Sequence, residues 1–171
     1  MNEFLRPRPI TSEDDCSRFS CGETSLDTWI QLRAIKNEKA GASRTFITIE
    51  RISGDIAGYY CLSASSLARA DASSALRMNM PEPIPVILIG RLALDQRYAS
   101  LGLGASLLKD ALSKGIEASR AVGARAFIVH ALNDSAEAFY RRFGFGLVPE
   151  SARVMYILVQ DAEATIAGFG R

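Results

Sequence analysis

Apolar positions repeat along this chain with two distinct periods. Leu26, Trp29, Ile30 and Ile35 share one side of a helix whose other side carries Gln31, Lys36, Glu38 and Lys39. The stretch after Ser20-Cys21-Gly22 therefore reads as one surface helix with a buried edge, ended by Gly41-Ala42-Ser43. A short N-terminal strand precedes it. Residues 45–49 and 56–62, separated by Ser53-Gly54-Asp55, predict a hairpin. From Ala68 to Pro85 the chain carries Arg69, Asp71, Arg77 and three prolines, which predicts a loop with at most one helical turn. Val86 to Leu94 is a nearly continuous apolar run, interrupted by Gly90 and Arg91, and suits a strand covered on both faces. Gly90 invites a bulge or a close backbone approach.

Leu103, Leu107, Leu108, Ala111 and Leu112 describe a helix from Gly102 to about Val122, ended by Gly123. Residues 126–130 read as a strand. Asn133 to Glu137 then supply cap residues, with Asp134 and Glu137 at capping-box spacing, for a helix through Arg142 closed by Gly144. Residues 154–159 form a last strand. The alternation points to an α/β (α+β) architecture with a mixed central sheet flanked by helices, and to one domain over residues 1–171.

Composition changes this picture little. With 48% hydrophobic and 23% charged residues the chain suits a soluble globular domain. The net charge of +1 hides a segregation: Glu13, Asp14, Asp15, Glu23 and Asp27 precede Arg33, Lys36, Lys39, Arg44 and Arg51, so a basic face is expected. Cys16, Cys21 and Cys61 give no even pairing, and with a single histidine no metal site is expected. The start lacks a signal-peptide core and no run approaches membrane-spanning length, so a cytoplasmic, unprocessed protein with no membrane partner is expected.

The most specific chemistry follows the 86–94 strand, where Asp95-Gln96-Arg97 leads to Gly102-x-Gly104 and a helix. Free N–H groups and the positive dipole end at a helix start make a site for a pyrophosphate. A dinucleotide fold would add a third glycine and a downstream acid, and both are missing. The spacing Arg97-x-x-Ser100-x-Gly102-x-Gly104 resembles the acyl-CoA-binding motif of the GNAT acetyltransferases. The resemblance extends to Phe19-x-Cys21-Gly22, Leu26-Asp27-x-Trp29, Arg44-Thr45-Phe46, Gly58-Tyr59-Tyr60, the run from Pro85 to Leu94, and residues 138–145. Together these look like the TacT- and AtaT-like GNAT toxins of bacterial toxin–antitoxin modules, over roughly Phe19 to Val159. One departure is Ser100, which stands where the motif has its first glycine.

The resemblance implies a GNAT acyltransferase fold and acetyl transfer from acetyl-CoA to the α-amine of an aminoacyl-tRNA in the bacterial cytoplasm. It further implies inhibition of translation, a homodimer, and neutralisation by a ribbon-helix-helix DNA-binding antitoxin. The cofactor-binding set it suggests is Leu92, Ala93 and Leu94 on the strand, then Arg97, Tyr98, Ser100, Leu101, Gly102, Leu103 and Gly104 in the loop, with Asn133, Ala136 and Tyr140 beyond. Tyr140 is the expected catalytic acid, its hydroxyl near the CoA sulfur at the start of a helix, because a phenol with pKa about 10 is protonated at neutral pH. Read alone it is a core aromatic, and Phe139, Phe143 and Phe145 around it are expected to be core.

The central strand carries no glutamate or histidine. An α-amine next to an ester is already largely neutral, so an aminoacyl ester suits a site without a strong base. His130 is the fallback base through water, or a structural group. Arg33, Lys36, Lys39, Arg44, Arg77 and Arg91 are the candidates for RNA binding, gripping acceptor-stem phosphates without reading bases. Two alternatives stand: a GNAT acetyltransferase of a small-molecule amine or protein N-terminus, and a non-catalytic acyl-CoA-binding regulator. A polyamine enzyme would want acidic residues where Arg69 to Arg91 supply mostly the opposite sign.

Overall fold

A computed structural model describes residues 3–168. In chain order the elements are β1 (Arg8–Pro9), α1 (Thr24–Leu32), α2 (Ala34–Ala40), β2 (Arg44–Ile49), β3 (Ile56–Leu67), α3 (Ser74–Arg77) and β4 (Ile84–Leu94). There follow α4 (Leu103–Val122), β5 (Ala126–His130), α5 (Asp134–Arg142), β6 (Gly146–Leu147), β7 (Val154–Leu158) and α6 (Val159–Gly168). The strands make one mixed sheet in the order β1-β2-β3-β4-β5-β7-β6. β4 and β5 run parallel, whereas β1/β2, β2/β3, β5/β7 and β6/β7 are antiparallel.

The chain divides into two compact units, residues 1–63 with 91–111, and residues 64–90 with 112–171. In the first, Ile10, Phe19, Trp29, Ile30, Ile47 and Tyr59 form a core against which Cys16 and Cys21 pack. None of the three cysteines is in a disulfide, and burial pushes the Cys16 and Cys21 thiols up to about 11. In the second, Leu76, Ile84, Val86, Ala126, Ile128, Val148 and Leu158 do the same. Within the first unit α4 lies close on β3: a Cβ at Gly58 would sit 2.8 Å from Leu107 Cδ1 and 3.0 Å from the Ala93 carbonyl. Tyr60, two residues on and on the same strand face, donates its hydroxyl to Asp110, one helical turn beyond Leu107. These two contacts set the depth and register of α4 on the strand.

Several boundaries differ from the periodicity. The first helix is two, broken at Arg33, whose backbone (φ −116, ψ −33) departs from helical values before α2 resumes and ends at left-handed Gly41. Hydrophobic spacing carries across such a break, so the period alone cannot show it. β3 runs on to Leu67, the 68–85 stretch holds a 3₁₀ turn at Arg69–Asp71 as well as α3, and α4 starts at Leu103. β4 is mainly buried to Ile89 but half-buried over much of Gly90–Leu94, so it is not covered on both faces throughout. The N-cap of α5 is Asn133, whose Oδ1 accepts the Ala136 N–H at 2.9 Å. Glu137 does not close a capping box on Asp134 but pairs with Arg141 and Arg153. β6 and α6 carry too short or too weak a pattern to stand out.

Candidate active site

The loop between β4 and α4 is built on one buried carboxylate. Asp95, 1% exposed, accepts the Arg97 backbone N–H (3.0 Å) and Nε (2.9 Å) on Oδ1, and Arg97 Nη2 (3.0 Å) and the Ser20 N–H (3.1 Å) on Oδ2. Main-chain bonds join the same segments: Asp95 N–H to the Ala57 carbonyl at 2.8 Å and Gln96 N–H to the Ser20 carbonyl at 2.9 Å. Arg97 Nη1 reaches Asp55 at 2.7 Å. Its guanidinium thus bridges two carboxylates, which raise its pKa further, and ties the loop to Asp55. Burial pushes the Asp95 carboxyl up, but the Arg97 and Ser20 donors outweigh it and leave the group below its usual range.

Asp95 is the functional residue that sequence reading missed; the available signal was an acid closing an apolar strand two residues before an arginine. Because its folded pKa lies below the unfolded value, its contribution is full above the carboxylate range and lost as pH falls through it. Asp95→Asn is therefore expected to cost about 2 kcal/mol at neutral pH. Below about pH 4 its unfolding temperature should fall less steeply than that of the parent. Parallel melting curves from pH 7 to 3 in the two proteins would refute this.

Beyond the Gln96–Tyr98 turn, Ser100 (φ +65) and Gly102 (φ +77) both take left-handed conformations. A side chain at Gly102 would meet open space, so the residue is glycine for its backbone rather than for room. Left-handed residues just ahead of a helix turn successive N–H groups to one side. The first N–H groups of α4, from Leu103 to Ala105, lack intrahelical acceptors by position, and the Ser106 N–H bonds the Gly102 carbonyl at 3.3 Å. The cradle fits a pyrophosphate held by main-chain donors. Of the expected cofactor set, Ser100 and Leu101 lie exposed on this turn, while Leu103 is buried beneath it. Tyr98 packs edge-on against Phe4 at 5.5 Å.

On β4 the register with β5 runs from Val86↔Ala126 to Ile89↔Val129, and β4 continues through Gly90 to Leu94. Leu92, Ala93 and Leu94 therefore lie past the stretch paired with β5.

In the second unit Tyr140 is buried, 7% exposed, with its ring against Phe139 (5.2 Å) and Phe145 (5.3 Å). It stands in the last turn of α5, not at a helix start as expected. Its carbonyl accepts the Phe143 and Phe145 N–H groups, which fixes the turn that presents the ring. Phe145 is core; Phe139 and Phe143 are only half-buried. Asn133 spends its side-chain oxygen on the Ala136 N–H, which occupies both residues in the cap. His130 is exposed at the end of β5.

The basic residues divide. Arg33, Lys36 and Lys39 are exposed along α1 and α2. Arg44 is exposed but turned onto Glu38, bonding its carbonyl at 2.9 Å. Arg91 finds its partner in Trp29, the guanidinium 4.7 Å from the ring centroid. These five belong to the first unit, whereas Arg77 belongs to the second.

The model of the acetyltransferase (GNAT) family matches residues 10–145. The chain belongs to the GNAT acetyltransferase family. A tRNA-acetylating toxin of Mycobacterium tuberculosis (strain H37Rv) is 43% identical to this GNAT chain over 166 residues, 97% of the chain and 99% of that protein. Among solved structures, AtaT complexed with acetyl-methionyl-tRNAfMet is similar with TM-score 0.85 and 29% identity, covering 94% of this chain and 98% of that one. A mutant of KacT with tyrosine replaced by phenylalanine gives TM-score 0.87 and 26% identity over 95% and 99%. Among the described residues no GNAT helix is long and apolar enough to cross a membrane.

Proposed function

We propose that this GNAT chain is an acetyl-CoA-dependent N-acetyltransferase toxin that acetylates the α-amine of aminoacyl-tRNA and thereby blocks translation. The observation that carries the reading is the likeness, over almost the full length of both chains, to a relative named a tRNA-acetylating toxin. It is supported by a left-handed turn and free helix N–H groups where the acyl donor's pyrophosphate belongs. AtaT has been captured with acetyl-methionyl-tRNAfMet, and AtaTR with acetyl-CoA. Residues 1–171 work as one catalytic domain.

The residues then take the following roles. The α4 N–H groups with Ser100 and Gly102 hold the pyrophosphate, and the backbone of Leu92–Leu94 pairs the pantetheine amides and polarises the thioester oxygen. The neutral α-amine attacks the thioester carbonyl, the carbon–sulfur bond breaks, Tyr140 protonates the departing thiolate, and the amine's proton leaves to water. Arg33, Lys36, Lys39, Arg44, Arg77 and Arg91 bind RNA phosphates. The protein acts in the bacterial cytoplasm as a homodimer, without a metal, and is neutralised by a ribbon-helix-helix antitoxin. An AtaT mutant bound to the C-terminus of the antitoxin AtaR supports an antitoxin partner.

Incubation with labelled acetyl-CoA and bulk tRNA tests this directly. Label is expected only on charged tRNA, released by alkali as N-acetyl amino acid, with activity falling steeply as salt rises because each neutralised phosphate returns counterions. Label on deacylated tRNA, or preferential transfer to polyamines or protein amines, would refute it.

A further inference from the structure

Two segments that carry the resemblance, Phe19-x-Cys21-Gly22 and Leu26-Asp27-x-Trp29, have no part in the roles above, and in the first unit they meet at one peptide group. The Ser20 carbonyl accepts the Gln96 N–H at 2.9 Å, and the N–H of the same peptide plane, that of Cys21, donates to Asp27 Oδ1 at 2.8 Å. One plane thus bonds the loop after β4 through its C=O and helix α1 through its N–H. The Ser20 N–H adds the 3.1 Å bond to Asp95. Gly22, at φ +92, turns the chain from this peptide toward α1, and a Cβ there would lie 2.6 Å from Gln96 Nε2.

We propose that Asp27 is a positioning residue for the acetyl-CoA loop: it fixes the tilt of the Ser20–Cys21 peptide, and the peptide in turn holds Gln96 at the start of the turn that leads to Ser100 and Gly102. The inference rests on the reading of that loop as the donor site, and adds a residue of α1, remote in sequence, to what sets its shape. A peptide plane is rigid, with C=O and N–H pointing opposite ways, so a rotation that breaks the Asp27 bond also swings the carbonyl off Gln96.

The bond serves the loop rather than the helix. An acid that caps a helix accepts N–H groups that follow it, whereas Asp27 reaches six residues back, and the cap residue Glu23 makes no side-chain bond. Helix α1 is secured by other means: the Leu26 and Asp27 N–H groups bond the Glu23 carbonyl, Trp29 and Ile30 are buried, and the Leu26 carbonyl accepts the Tyr59 hydroxyl at 2.8 Å. Removing the carboxylate leaves those contacts in place.

Steady-state kinetics on charged tRNA and amide hydrogen exchange test the assignment together. Asp27→Ala should raise KM for acetyl-CoA about tenfold, as for one lost charge-assisted hydrogen bond, with kcat and KM for charged tRNA unchanged. Asp27→Asn keeps an oxygen acceptor and should recover most of the affinity. In Asp27→Ala the Gln96 amide should exchange about tenfold faster while the Ile30 amide of α1 stays protected. Gly22→Ala, which sets a side chain against Gln96 from outside the helix, should repeat the KM effect. Equal loss in Asp27→Asn, a matching rise in KM for charged tRNA, a fall in kcat alone, an unchanged Gln96 amide, or an unchanged KM in Gly22→Ala would overturn the proposal. A parent protein that fails to bind acetyl-CoA by calorimetry would defeat the donor-site reading instead, and the exchange experiment would still report the grip of this peptide on Gln96.

Discussion

Tyr140→Phe is expected to keep its acetyl-CoA affinity and melting temperature while turnover on charged tRNA falls by about 10²–10⁴-fold, the range for a lost proton donor. The substitution spares the ring contacts with Phe139 and Phe145 and both bonds to its carbonyl, so packing has little reason to change. It removes only the hydroxyl. The defect should shrink as pH rises past about 8.5, the pKa of an ordinary thiol, since a thiolate that leaves above its own pKa needs no proton. Expressed alone, the parent protein should arrest bacterial growth and the variant should be tolerated. A variant as active as the parent at neutral pH would assign the proton to another group.

Gly102→Glu should lower acetyl-CoA affinity beyond calorimetric detection, a loss of at least about 100-fold. Two causes act together. A non-glycine residue at φ +77 costs on the order of 1–3 kcal/mol, which the loop can relieve only by leaving the left-handed conformation that aims its N–H groups. A carboxylate at the helix start then faces the pyrophosphate, with like charges in contact. Its comparison is Ser100→Gly, which removes the strain of a serine at φ +65 and should bind as well or more tightly. Undiminished affinity in folded Gly102→Glu would remove the phosphate-loop assignment; weakened affinity in Ser100→Gly would make the serine hydroxyl a ligand.

The hairpin, the helix after the glycine turn and the strand at 126–130 were legible because each carries a clean hydrophobic period ended by a turn residue. The conformations of Gly102 and Ser100 were foreshadowed by the motif, since only a left-handed turn explains glycine there. Arg97 was legible as important, but its ion-pair partners were not. Its partners are Asp95, two residues away, and Asp55, some forty residues earlier, and no local pattern reveals that the second carboxylate joins the first. The same holds for Arg91: it interrupts an apolar strand, and the fold supplies Trp29, from a different element, as an aromatic face. Asn133 was read equally as ligand or cap, and the cap takes its oxygen. The break at Arg33 and helix α6 stayed hidden because tertiary packing, not periodicity, sets them.

The unbridged cysteines bear on what the enzyme does not do. An acetyl-CoA user works beside a thioester and releases a thiol, and an ionised protein thiol nearby would capture the acetyl group or form a mixed disulfide with the product. Burial pushes the Cys16 and Cys21 thiols up to about 11 and encloses Cys61, which lowers the thiolate fraction that could compete at neutral pH. As a practical corollary, thiol-reactive dyes added at neutral pH should report released CoA ahead of any signal from the folded protein.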